Sequence, residues 1–186
     1  MVSLQTPVCD FGRPAIGFSL PGVDGADWDL EKARGENGLL VMFICNHCPY
    51  VKSILDRIVR DTNELKDDHG VNTIAIMAND PALYKEDSFE NMKAISEKYA
   101  FSFPYVIDET QNIAKTYGAV CTPDFFGYND KLELQYRGRL DESRKQAAEV
   151  DVRRDLFESM VLIAKTGTGP KNQIPSMGCS IKWREE

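Results

Sequence analysis

Apolar residues follow two different spacings along this chain, and the spacings alternate. Leu39 to Cys45 (LLVMFIC) is apolar at every position and follows Gly35 and Gly38, as expected of a strand buried on both faces. From Tyr50 onward, Val51, Ile54, Leu55, Ile58, Val59 and Leu65 recur at about 3.6 residues per turn. They end in Asp67-Asp68-His69-Gly70, so one long amphipathic helix is predicted. Val71 to Ala78 reads as a second buried strand. Asn79-Asp80-Pro81 then reads as a helix start, leading to a helical face of Phe89, Met92, Ile95 and Tyr99.

Phe103 to Ile107 predicts a third strand, and Ile113, Ala114 and Tyr117 a short helix closed by Gly118. After Pro123 the spacing changes again. Phe125 to Tyr128 and Leu132 to Tyr136 alternate around Asn129-Asp130-Lys131, which predicts a hairpin extending the sheet. At the N-terminus, Ile16 to Leu20, the turn at 21–25, Trp28 and Leu30 predict another hairpin. Asp141 to Val150 reads as a surface loop. Leu156, Met160, Ile163 and Ala164 mark a last helix before Gly167, followed by an irregular tail, NQIPSMGCSIKWREE. Strand–helix alternation followed by a hairpin predicts an α/β fold with a mixed central sheet and helices on both faces. No internal repeat interrupts it, so residues 1–186 are expected to form one domain.

Composition narrows the function. With 22 basic against 29 acidic residues and a net charge of -7, the chain has no basic footprint for nucleic acid or an anionic membrane. The longest apolar run falls far short of the roughly 20 residues of a membrane span. MVSLQTPVCDFGRP lacks a basic n-region and an apolar h-region, so a soluble, cytoplasmic protein is expected. Five cysteines, an odd number, are far below the roughly 8–10% of a disulfide scaffold. In a reducing compartment such thiols are more often catalytic or metal-binding.

Cys45 and Cys48 are separated by two residues where the buried strand meets the long helix. Unpaired helix N–H groups favour a thiolate, which makes Cys45 the expected nucleophile. Cys48 is close enough to resolve a mixed disulfide formed on Cys45. His47 either adds charge or a hydrogen bond that steadies the reduced form, giving a moderately oxidising pair, or is an exposed residue at the helix start. Two alternatives stand beside dithiol exchange. One is a metal-holding or redox-sensing module, with Cys121 or Cys179 completing a four-ligand site that a single CxxC cannot fill. The other is an inert core in which the cysteines act as small hydrophobes.

Four stretches, FICNHCPYVK at 43–52, IDETQNIAKTYGAVCTPDFF at 107–126, YRGRLDES at 136–143 and PSMGCSIKW at 175–183, together resemble the thioredoxin superfamily. The likeness is greatest to its alkyl hydroperoxide reductase and thiol-specific antioxidant (peroxiredoxin-like) branch. The resemblance implies a thioredoxin-like fold, a cis Pro123 beside Cys45 that shapes the substrate groove, and thiol–disulfide oxidoreductase activity without an organic cofactor. It also implies a dithiol protein or glutathione as redox partner. True peroxiredoxins carry a proline seven residues and a threonine or serine three residues before the peroxidatic cysteine. Before Cys45 those positions hold Gly38 and Met42, and before Cys48 they hold Val41 and Cys45. Thiol peroxidase activity, with Arg137 or Arg139 as the cation it requires, is therefore the second enzymatic expectation. Cys121 and Cys179 remain possible additional redox thiols or packing residues, and Cys9 is expected to be incidental. Asp124, Phe125 and Phe126 are expected to continue the strand after Pro123, with both aromatics in the core.

Overall fold

A segment apolar on both sides needs cover on both sides, and the run after Gly38 has it at the centre of a five-stranded sheet. A computed structural model describes residues 3–146, 148, 149 and 152–184. In chain order the first elements are β1 (Ser3–Gln5), β2 (Ser19–Pro21), β3 (Asp27–Asp29), α1 (Leu30–Ala33) and β4 (Gly38–Phe43). Then come α2 (Pro49–Lys52), α3 (Leu55–His69), β5 (Val71–Met77), α4 (Phe89–Lys98), β6 (Tyr105–Ile107) and α5 (Asn112–Tyr117). The last are β7 (Cys121–Thr122), β8 (Asp124–Tyr128), β9 (Leu134–Tyr136), α6 (Asp155–Thr166) and β10 (Met177–Ser180).

The main sheet has the order β6-β5-β4-β8-β9, with β4, β5 and β6 parallel and β8 and β9 antiparallel. This is the mixed α/β sheet the spacing predicts. The pleat sends alternate β4 side chains to opposite faces. Leu40 and Met42 join Ile58 and Leu65 of α3 and Met160 of α6. Leu39, Val41 and Phe43 join Tyr117 of α5 and Phe126 of β8 on the other face. Full burial of such side chains stabilises the fold by roughly 1.5–3 kcal/mol each. Gly70 ends α3 with φ 65°, a left-handed conformation that glycine adopts without a Cβ clash. The N-terminal hairpin is present as β2 paired with β3.

Three expectations need correction. The long helix is two, α2 and α3, because Ile54 leaves helical geometry at φ -120°, ψ 2°. Next to it the Ser53 hydroxyl donates to the carbonyls of Tyr50 and Arg144, a local alternative to the helical ladder. Asn79-Asp80-Pro81 does not start α4. The Asn79 side chain instead binds Asp87 at 2.9 Å and the Lys182 amide at 2.8 Å, and Ser88 caps α4. The tail is not irregular throughout: β10 runs antiparallel between β1 and β7 in a second sheet. Within the expected surface loop, residues 141–146 form turns, whereas Ala147 and Val150 lie outside the described residues.

Candidate active site

The site forms where three connections meet. Ile44 extends the β4 ladder by one hydrogen bond to Ile76, and the chain then turns through Cys45-Asn46-His47 into α2, with Cys48 at its N-cap. Facing it, β7 brings Thr122, and the Thr122–Pro123 peptide is cis, as the resemblance implies. None of the five cysteines is joined in a disulfide. Cys45 is 1% exposed and Cys48 fully buried, so the pair reacts only with what enters the protein or after a local opening.

Thr122 contacts both sulfurs. Its hydroxyl lies 3.1 Å from Cys45 Sγ, and its carbonyl accepts from Cys48 Sγ at 3.0 Å. The two sulfurs also share a hydrogen bond. Burial pushes the Cys45 thiol well above its ordinary range, helped by that bond and by the charge of Asp87. Cys48 moves the opposite way: the bond from Cys45 outweighs burial and, with the Cys179 thiol and the Cys179 and Val51 amides, brings it down to about 5. The expected acidity of Cys45 is thus found on Cys48, because Cys48 is the sulfur that Cys45 and Cys179 both hydrogen-bond.

His47 is buried rather than exposed at a helix start. Its Nδ1 lies 2.6 Å from Asp87 Oδ2 and 3.7 Å from Cys45 Sγ, and its ring stacks on Tyr84 at 4.0 Å. Asp87 Oδ1 accepts the backbone amides of Asn46 at 2.8 Å and His47 at 3.1 Å. Burial raises the Asp87 carboxyl, but hydrogen bonds from His47 and Asn79, the charge of His47 and the Asn46 amide leave it below its ordinary value. His47 is therefore held between the Cys45 sulfur and the Asp87 carboxylate. Sequence spacing does not disclose Asp87, forty residues away on a short turn, nor the Thr122 hydroxyl. The pairing of Asn79 with Asp87 is hidden behind its reading as a helix cap.

Cys45, His47 and Asp87 offer metal-ligand atoms within 4.8 Å of one another. Their arrangement is that of a closed hydrogen-bond hub, since both Asp87 oxygens already accept donors and Oδ2 and Nδ1 are in direct contact. Neither Cys121 nor Cys179 belongs to this group, so the completing ligands expected for a metal site are not the ones brought together. Cys121 Sγ turns to the Pro123 carbonyl at 3.7 Å, and burial holds its thiol far above the ordinary range. Cys9 packs, partly buried, against the core on the other side of the sheet.

The cations expected for a peroxidase site are committed elsewhere. Arg137 is buried against Asp124 at 2.9 Å and over the Phe126 ring at 4.4 Å, and Arg139 pairs with Asp155 at 2.6 Å. Phe125 and Phe126 lie in the two cores as expected. Cys45 borders a cavity of about 210 Å³ walled by Leu55, Ile95, Tyr99, Phe101 and Tyr105, with the exposed Lys52 and Lys98 on its lining. Pro123 lines a different cleft, with Tyr50, Arg139 and Met177.

The architecture recurs in solved structures. An uncharacterized conserved protein from Geobacillus kaustophilus is 39% identical and superposes with a TM-score of 0.92 over 100% of this chain and 98% of its own. A thioredoxin-family thiol:disulfide interchange protein from Chlorobium tepidum superposes with a TM-score of 0.60 at 17% identity, covering 86% of this chain and 97% of its own. That likeness shows the fold to be thioredoxin-like. The thiol-disulfide oxidoreductase ResA of Halalkalibacterium halodurans is 28% identical over 123 residues. The match covers 66% of this chain and 65% of that protein, just under two thirds of the relative's length. Residues 11–143, which hold the CxxC segment, Thr122-Pro123 and the hairpin, match the AhpC/TSA family, and the chain belongs to that family.

Proposed function

We propose that this protein is a thiol–disulfide oxidoreductase whose redox centre is the Cys45–Cys48 pair, with His47 and Pro123 positioning it. The reading rests chiefly on the paired contacts of Thr122, which offer a hydroxyl to one sulfur and an acceptor to the other. Cys48 is the more acidic thiol of the two, while Cys45 holds its proton. Passing that proton across the bond between them leaves a Cys45 thiolate facing the Thr122 hydroxyl and a Cys48 thiol donating to the Thr122 carbonyl.

The Cys45 thiolate then attacks a substrate disulfide that reaches it through the cavity. A Cys45–substrate disulfide forms and the other half leaves as a thiolate, which takes the Cys48 proton. The Cys48 thiolate next attacks Cys45 Sγ, forming the Cys45–Cys48 bond and releasing the second half. Two electrons have passed to the substrate, and a dithiol protein or glutathione restores the pair. The name of the Halalkalibacterium halodurans relative supports this chemistry. Few cysteines and an odd count suit the reducing cytoplasm, where we place the protein.

The test is trapping with a glutathionylated peptide. Wild type is expected to reduce it catalytically, and Cys48→Ser to stall as a mixed disulfide on Cys45. Catalytic reduction by a Cys45→Ser, Cys48→Ser double variant at the wild-type rate overturns the reading.

A further inference from the structure

Cys179 lies outside the redox pair, yet the fold presses it onto Cys48. Its strand, β10, is the middle strand of the second sheet, and the register sets Cys179 opposite Thr122, the residue that touches both active sulfurs. The approach is close because Gly178 has no side chain: a Cβ there would sit 2.0 Å from the Thr122 carbonyl oxygen. Helix α2, which begins after Cys48, packs on β10. Cys179 gives Cys48 two hydrogen bonds, one from its thiol and one from its backbone amide. Cys48 Sγ therefore has a thiol partner on each side, Cys45 on the cavity side and Cys179 on β10. Cys121, in register with Ser180, turns instead to the Pro123 carbonyl.

We propose that Cys179 is a third redox thiol that exchanges with the oxidised pair, moving the disulfide from Cys45–Cys48 to Cys48–Cys179. The proposal rests on the Cys45–Cys48 reading and adds one step. The Cys179 thiolate attacks Cys48 Sγ, the Cys48–Cys179 bond forms and the Cys45–Cys48 bond breaks. Cys45 leaves with the bonding electrons and takes up the proton that Cys179 lost. Oxidation state is conserved, so no further oxidant or reductant is needed. The two side chains are already hydrogen-bonded, and forming the roughly 2.05 Å disulfide bond asks them to close further.

The chemistry of Cys179 fits a thiol that becomes reactive on oxidation. In the dithiol state burial, the hydrogen bond to Cys48 and the Cys48 charge push its thiol up to about 12, against the pull of Lys182. Once Cys48 is in a disulfide, the bond to its thiolate and its charge are both gone, and burial alone opposes ionisation. The outcome of exchange is a protein that stores its oxidising equivalents behind the cavity while Cys45 faces the opening as a thiol again.

The test is disulfide mapping by peptide mass spectrometry on the full chain, oxidised with diamide and quenched in acid. Wild type is expected to give both the Cys45–Cys48 and the Cys48–Cys179 linkage. Cys45→Ser is expected to give Cys48–Cys179 as its main linkage, and Cys179→Ser only Cys45–Cys48. Cys45–Cys48 without any Cys48–Cys179 in wild type, together with no Cys48–Cys179 in Cys45→Ser, overturns the relay and leaves the oxidoreductase reading intact. The wild-type measurement decides the matter even if a variant fails to fold. Absence of both linkages from oxidised wild type overturns both.

Discussion

Cys45 Sγ and Thr122 Oγ1 lie 3.1 Å apart although 77 residues separate them in the chain. The hydroxyl lies closer to the cavity-side sulfur than His47 Nδ1 does, and a hydrogen bond to a charged group contributes about 1.5–3 kcal/mol. Thr122→Val keeps the shape and the carbonyl but removes that donor. Disulfide exchange is expected to slow about tenfold or more, with the thermal midpoint little changed. A stopped-flow rate equal to wild type would dismiss the hydroxyl as a participant.

Stability of the reduced protein should follow pH through Cys48. Its folded-state pKa of about 5 is below the ordinary 9.0, so ionisation contributes stability that is complete above about 9 and lost as pH falls through 5. Between those values the unfolded chain binds more protons, so the urea midpoint should rise with pH. Above that window the sign reverses, because Cys45 and Cys121 stay protonated when folded but ionise when unfolded. In Cys48→Ser the rise between the two values should flatten, as read from urea titrations at several pH values.

Asp87 receives two backbone amides, His47 and Asn79, all buried. Asp87→Ala leaves those donors without an acceptor, at about 1–3 kcal/mol for each that water cannot reach. The variant is expected to unfold at clearly lower urea, and its Cys45 thiol to ionise at lower pH because the charge raising it is gone. Alkylation of Cys45 followed against pH measures the second effect. Unchanged stability would mean the hub is not a support of the thiol turn.

The cavity beside Cys45 carries Lys52 and Lys98, neither of which is ion-paired among the described residues. Charged iodoacetate and neutral iodoacetamide distinguish their influence. Reversing either lysine to Glu should lower the iodoacetate-to-iodoacetamide rate ratio at Cys45 by about two- to fivefold, the scale of an exposed ion pair. An unaltered ratio would show that reagents reach the sulfur by another path.

Much of this was legible in the sequence because strong spacing survives folding. The apolar run after Gly38, the face of α3 and the Asn129 hairpin all had enough residues to set their own pattern. β10 did not: Met177-Gly178-Cys179-Ser180 is a strand only because β1 and β7 bracket it. The CxxC was visible, but which thiol is acidic was not. That depends on the hydrogen bonds Cys48 receives from Cys45 and from Cys179, far along the chain. Asp87 was invisible for a similar reason, since its partners are assembled by the meeting of β4, β5 and a short turn.

The most direct measurement equilibrates the wild-type protein in glutathione buffers of graded potential and follows the Cys45 and Cys48 peptides. A single two-electron transition should appear in which the oxidised form carries the Cys45 to Cys48 link, alone or in exchange with Cys179. Its midpoint should lie above thioredoxin's roughly -270 mV, because the reduced thiolate is stabilised. A protein that keeps both residues as thiols across the whole series, or that collects only glutathione adducts without an internal link, would contradict the assignment.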